Sequence, residues 1–158
     1  MERETKGRTA GEMDRETETA LKLWVVLNRA HRAVWRHDRR DIESHGLHPS
    51  EFAVLEVLYS KGPLPLGEVG ARVLLTSGSI THVVDKLEGK GLLVRRPCPE
   101  DRRVSFAELT ESGGALIADI FPAHTSVLRE ALAGLDREEK RTAIRLLKQL
   151  GRYADDLY

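Results

Sequence analysis

Four arginines, Arg95, Arg96, Arg102 and Arg103, flank the run Pro97-Cys98-Pro99-Glu100-Asp101. Guanidinium groups on a narrow projecting turn suit the minor groove of DNA, where A·T tracts narrow the walls and deepen the negative potential. Upstream, Thr76-Ser77-Gly78-Ser79-Ile80-Thr81-His82 offers small side chains and hydroxyls. Small residues admit the backbone close to a duplex, and hydroxyls donate to or accept from base edges and phosphates. Lys86 and a helix N-terminus here would attract phosphate. This is the chemistry of recognition rather than of bond-making. The chain has no Gly-x-Ser-x-Gly, phosphate-binding loop, His-Glu-x-x-His or dinucleotide fingerprint, and only one cysteine. No enzyme activity, catalytic residue, cofactor or metal is expected. His45 and His48, with His37 upstream, lack partners at ligand spacing.

The elements that position these residues follow from periodicity and breakers. Residues 1–13 have no hydrophobic period and read as a disordered arm. From Asp14 to His45, apolar positions including Leu21, Trp24, Leu27, Val34, Trp35 and Ile42 recur mostly at helical steps, predicting one long helix that stops at Gly46. Leu47-His48-Pro49-Ser50-Glu51 starts a second helix, with proline in its first turn, an acid at its positive end, and Phe52, Val54, Leu55 and Leu58 as its buried stripe. Pro63-Leu64-Pro65 reads as a stiff connector to a short helix over Leu66–Val73. Thr76 to Ser79 caps another helix with Ile80, Val83, Val84 and Leu87 inward, ended by Gly89 and Gly91. Its opposite face runs through Gly78, Thr81, His82 and Asp85, with Ser79 and Lys86 at the flanks.

Leu92–Arg96 and Arg103–Leu109 are strand-like, with Pro97–Arg102 as the turn of a β-hairpin whose rim is basic, Lys90 nearby. Thr110 caps a helix to about Ala133, bent or interrupted near Pro122, and Asp136 with Glu139 opens a last helix bearing Ile144, Leu147, Leu150, Ala154 and Leu157 on one side. The fold class is therefore mainly α with a small β-hairpin. A helix-turn-helix followed by a hairpin is the arrangement that places the second helix of the pair in the major groove.

At 158 residues with 41% hydrophobic side chains, the chain supports one core and not a second. The 25 basic and 25 acidic residues cancel, so bulk charge argues for no partner, but the zero hides opposed segments. Residues 20–45 and 61–103 each carry a net +3, while 1–19, 46–60 and 104–158 each carry −2. The first twenty residues contain no apolar signal region, and the longest apolar run, Leu23 to Leu27, is far short of a membrane span. The expected location is the cytoplasm, with no membrane partner.

The stretches Leu47-His48-Pro49-Ser50-Glu51-Phe52, Leu75-Thr76-Ser77-Gly78-Ser79-Ile80-Thr81, Asp101-Arg102-Arg103 and Leu109-Thr110-Glu111-Ser112-Gly113 resemble the MarR family of bacterial winged-helix regulators. The likeness covers nearly the whole chain from about residue 20. It implies residues 14–158 as one domain, with a winged helix-turn-helix over 47–109 and dimerisation helices over 14–45 and 110–158. It further implies a homodimer with interlocking first and last helices, Arg103 inserted into the minor groove, Asp101 orienting it, and Arg102 on the DNA backbone. The apolar pattern also points to dimerisation, because the apolar sides of the terminal helices exceed what a winged unit of ~70 residues covers. A twofold dimer reads a pseudo-palindromic operator with half-sites about one helical turn, ~34 Å, apart.

Trp24, His31 and Trp35 share nearly one face, Trp24 and Trp35 standing eleven residues apart. One reading makes them a pocket for an aromatic or acidic small molecule, as the resemblance suggests; the other makes them core and dimer packing. Cys98, between prolines and beside arginines, sits where a thiolate is favoured, open to a mixed disulfide or a quinone adduct. The expected function is a sequence-specific repressor, released from DNA by an aromatic, phenolic or electrophilic effector. The rival is a winged module for protein association without DNA.

Overall fold

In the computed structural model the described residues are 10–98, 101 and 103–157, with the side chains of 10–13 excepted. The arm up to residue 9 and Arg102 lie outside them. Two compact units follow each other, one up to Arg36 and one from His37. Helix α1 (Ala10–Ser44) begins four residues ahead of its predicted start. In the first unit no described residue is buried, and Leu21, Leu23, Trp24, Val25, Val26 and Trp35 are exposed. The helix ends as predicted at Gly46, whose φ of +74° suits a residue without Cβ.

Within the second unit, α2 (Pro49–Lys61) is fixed at its start by a capping box. The His48 amide donates to Glu51 Oε2 at 2.8 Å, and the Ser50 amide donates to His48 Nδ1 at 3.2 Å. Glu51 is buried and also accepts from Lys90 Nζ at 2.8 Å. Burial alone would raise the Glu51 carboxyl; the His48 amide and then Lys90, with Lys86 adding charge, outweigh it and hold the group below its ordinary 4.5.

The stretch read as a connector contains a strand, β1 (Leu64–Pro65), so the hairpin becomes a three-stranded antiparallel sheet in the order β1-β3-β2. Leu64 faces Ala107 and Pro65 faces Phe106. Two residues between prolines carry no alternation to read, and proline removes the donor that would announce a strand. Strand β2 (Leu93–Pro97) pairs with β3 (Ser105–Leu109), Arg95 opposite Ala107 and Arg96 opposite Phe106.

Helices α3 (Leu66–Arg72) and α4 (Ser77–Gly89) form the helix-turn-helix pair. They cross closely because Gly70 has no side chain: a Cβ there would stand 3.3 Å from Ile80 Cγ2 and 3.3 Å from the Leu75 carbonyl oxygen. The turn closes through the Leu75 amide, which donates to the Gly70 carbonyl at 2.9 Å. It puts Leu74 at φ +57°, the one left-handed non-glycine among the described residues, at a cost of about 1 kcal/mol.

Helix α5 (Glu111–Ala131) is not interrupted by Pro122, and α6 (Arg137–Asp155) opens with the predicted Asp136–Glu139 capping box. The core is built from Leu55, Leu87, Leu93, Ile117 and Ile120, all with under 2% of their surface exposed. At the junction of sheet and α5, the Thr110 hydroxyl accepts from the Gly113 amide at 3.0 Å and donates to the Gly91 carbonyl at 2.7 Å. The Thr110 amide donates to the Leu92 carbonyl at 3.1 Å. A Cβ on Gly113 would lie 1.9 Å from that same carbonyl oxygen. The spacing Leu109-Thr110-x-x-Gly113 is therefore a steric requirement of the corner. Further along α5, the buried His124 sets Nδ1 2.9 Å from Asp41 Oδ2 and Nε2 3.4 Å from Asp38 Oδ1, its ring 4.4 Å from that of Phe52.

Gly113→Ala is expected to lower unfolding stability by about 2–3 kcal/mol, since backbone must shift to admit the methyl group, whereas Gly114→Ala, with nothing within 4 Å, is neutral or slightly stabilising in the same urea titration. Glu51→Gln is expected to cost about 1–2 kcal/mol at pH 7. Because the unfolded carboxyl takes up its proton near 4.5 and the folded one only below that, wild type loses this advantage as pH falls through the folded value, and the two denaturation midpoints converge in acid.

Candidate nucleic-acid interface

Helix α4 buries Ile80, Val83, Val84 and Leu87 and leaves Ser77, Gly78, Ser79, Thr81, His82, Asp85 and Lys86 exposed, as the periodicity predicts. Its first turn is closed by Thr76, whose hydroxyl accepts from the Ser79 amide at 3.3 Å and lies 2.9 Å from Ser79 Oγ. The Thr81 hydroxyl donates to the Ser77 carbonyl at 3.0 Å. These local bonds keep the polar side chains folded onto the helix, so the face stays slim.

The basic rim is smaller than expected. Arg95, with 26% of its side chain exposed, points back to α4: its amide donates to Glu88 Oε1 at 2.8 Å, and its guanidinium reaches Glu88, Asp85 Oδ1 at 2.6 Å and the Thr81 carbonyl at 3.2 Å. Arg96 pairs with Glu108 diagonally across the sheet. Lys90 is occupied by Glu51 and by the Gly46 carbonyl at 3.4 Å, away from the wing. The reason is that period-two alternation and the return of α4 bring carboxylates against these cations, which a linear count of charges does not register.

Arg103 is placed differently. Its side chain is 90% exposed, and Asp101 holds it from the neighbouring turn: Asp101 Oδ1 accepts from the Arg103 amide at 2.9 Å and from Nε at 3.2 Å, and Oδ2 accepts from Nη2 at 3.3 Å. The guanidinium hydrogen bond, with the amide second, keeps the Asp101 carboxyl below its ordinary range. The pair presents an oriented, outward cation. The wing is closed beneath it by the Cys98 amide donating to the Val104 carbonyl at 2.9 Å and the Val104 amide donating to the Asp101 carbonyl at 3.0 Å. Cys98 is half-buried. With Arg95 and Arg96 each facing carboxylates, the arginine-rich surroundings expected for this thiol are reduced.

Trp24, His31 and Trp35 lie exposed on α1, Trp24 at 64% and Trp35 at 40%, outside the core. His48 serves as the cap of α2. Sequence reasoning missed the Glu51–Lys90 and His124–Asp41 pairs, whose partners are 39 and 83 residues apart in the chain.

The description of the MarR family matches residues 47–105, the stretch from the start of α2 to the start of β3. The HTH-type transcriptional regulator MhqR of Bacillus subtilis (strain 168) is 51% identical over 135 residues, covering 85% of this chain and 93% of that protein. The chain belongs to the MarR family. As its relatives are, it is a transcriptional regulator of MarR type, with a winged-helix, DNA-binding fold. Among solved structures, Sco3205, a MarR family regulator from Streptomyces coelicolor crystallised in complex with DNA, shares the fold with a TM-score of 0.77 at 23% identity, over 95% of this chain and 91% of that one. BpsR of Bordetella bronchiseptica, whose DNA binding is regulated by 6-hydroxynicotinic acid, gives 0.74 at 24% identity, over 82% of this chain and 98% of that one. No helix among the described residues is long and apolar enough to cross a membrane.

Arg95→Ala is expected to lower stability by about 1–2 kcal/mol, because it leaves Glu88 and Asp85 facing each other without a shared cation. In a double-mutant cycle, adding Asp85→Asn recovers part of that loss; full additivity would show that the two side chains do not interact.

Proposed function

We propose that this regulator is a homodimeric repressor whose α4 enters the major groove while Arg103 enters the adjacent minor groove of a pseudo-palindromic operator. The observation that carries the reading is the contrast between the wing arginines. Arg95 is drawn back onto α4 with 26% of its side chain exposed and Arg96 is tied to Glu108 on the neighbouring strand, whereas Arg103 is 90% exposed and its guanidinium is aligned by Asp101 of its own turn. Ser77, Ser79, Thr81, His82 and Lys86 face the bases and phosphates, and Arg102 contacts the backbone. The exposed apolar side chains of α1 and α6, including Leu21, Leu23 and Val26 and Ile144, Leu147 and Leu150, are the dimerisation surface.

A small aromatic, phenolic or electrophilic effector releases the DNA. Support comes from the same-fold regulator BpsR, which responds to 6-hydroxynicotinic acid, a small aromatic acid. Trp24, His31 and Trp35 supply stacking faces and a hydrogen-bonding ring for such a ligand, and Cys98 a nucleophilic sulfur for an electrophilic one. The effector acts only through unequal affinity for two dimer states, one whose helix spacing fits successive major grooves and one whose spacing does not.

The test is a mobility shift on the DNA upstream of the protein's own gene at two salt concentrations, followed by challenge with phenols, quinones and oxidants. Binding that weakens steeply with salt is expected from release of counterions at several phosphates. Arg103→Ala is expected to bind about 1–3 kcal/mol more weakly. Undiminished affinity in that variant would remove the wing assignment, and no salt-dependent binding at all would favour the protein-association reading.

A further inference from the structure

The turn between α3 and α4 carries the most exposed large apolar side chain among the described residues. Leu74 is 92% exposed, while its neighbours Val73 and Leu75 pack against the core. It also holds φ +57°, the position at a helix C-terminus where glycine or asparagine is ordinarily found. Two separate penalties thus fall on one residue: a left-handed backbone that a Cβ disfavours, and an apolar surface left in water. Neither contributes to the fold, since the turn closes through the Leu75 amide and Gly70 carbonyl whatever side chain stands at 74.

Its location limits what could cover it. Leu74 stands two residues before Thr76, the cap of α4, and the surface continuing from it is Thr76, Ser77, Gly78 and Ser79, all exposed. These are the residues that the proposed function sets against the duplex, and the inference rests on that reading. The other groups on this surface are mainly hydroxyls and backbone atoms, able to bond polar edges and phosphates, with the Thr76 methyl as a small apolar addition. Leu74 presents by far the largest apolar group for the one that the major groove displays, the 5-methyl of thymine.

We infer that Leu74 is a specificity-determining residue of the DNA interface, whose isobutyl group packs against a thymine methyl at the margin of the base pairs read by α4. The exposed leucine is then buried only in the complex, and its cost in the free protein is recovered as preference for thymine over cytosine or uracil at one position of each half-site.

The experiment uses the full chain and a duplex selected by the wild type from a random-sequence pool, with each thymine replaced in turn by deoxyuridine, which removes only the methyl group. Leu74→Gly is expected to melt a few degrees higher than wild type, because glycine accepts the left-handed turn. It is expected to bind the selected duplex about fivefold to tenfold more weakly. At one thymine per half-site, deoxyuridine is expected to weaken wild type by a similar factor and to leave Leu74→Gly unaffected. Equal affinity of Leu74→Gly and wild type, or a loss that no deoxyuridine position abolishes, would overturn the inference. Arg103→Ala on the same duplex separates the two readings: if it loses affinity while Leu74→Gly does not, the wing assignment stands and the leucine contact falls. Failure to select any duplex overturns both.

Discussion

The guanidinium of Arg95 is the point on which the recognition lobe turns. It lies on the middle residue of a strand five residues long, yet its partners Thr81, Asp85 and Glu88 are successive turns of α4. A helix packed only by Ile80, Val83, Val84 and Leu87 could still rotate or slide by fractions of an ångström, because apolar contact is non-directional. Charge-assisted hydrogen bonds are directional, and those from one planar fork define the azimuth of α4 relative to the sheet. The same bonds offset two carboxylates on the helix that the proposed function sets against DNA. On that reading Arg95 serves recognition by positioning α4 rather than by touching the duplex.

A second constraint is steric and lies where the sheet hands the chain to α5. The corner is held by Thr110, which serves both Gly91 and Gly113, and it closes only because Gly113 is bare against the Leu92 carbonyl. The wing, the end of α4 and the start of α5 therefore share one rigid node. The wing is thereby held at a fixed angle to the start of α5.

Much of this was legible in the sequence, for identifiable reasons. The long α1, the caps at Thr76, Thr110 and Asp136 and the inward stripe of α4 follow from short-range rules of period and capping, which depend on residues within one or two turns. The pairing of Arg103 with Asp101 came from the family resemblance, and the contact spans only two residues. What escaped was long-range or lacked a period. Strand β1 is too short to alternate, Lys90 finds Glu51 only after α2 and α4 have crossed, and His124 meets Asp41 only once α5 has packed. Arg95 and Arg96 looked like free cations because their carboxylates come from α4 and β3. Leu74 falls between two predicted helices and belongs to neither; its left-handed backbone is a property of the turn, not of its own side chain.

The order of the sheet carries one further consequence. Both outer strands contain proline, Pro65 on β1 and Pro97 on β2, and β2 also bears two arginines. A proline in an outer strand removes an amide donor on which another chain would pair. Self-association by lateral strand addition is thereby discouraged along either border, which leaves the wing unencumbered even when the protein is crowded.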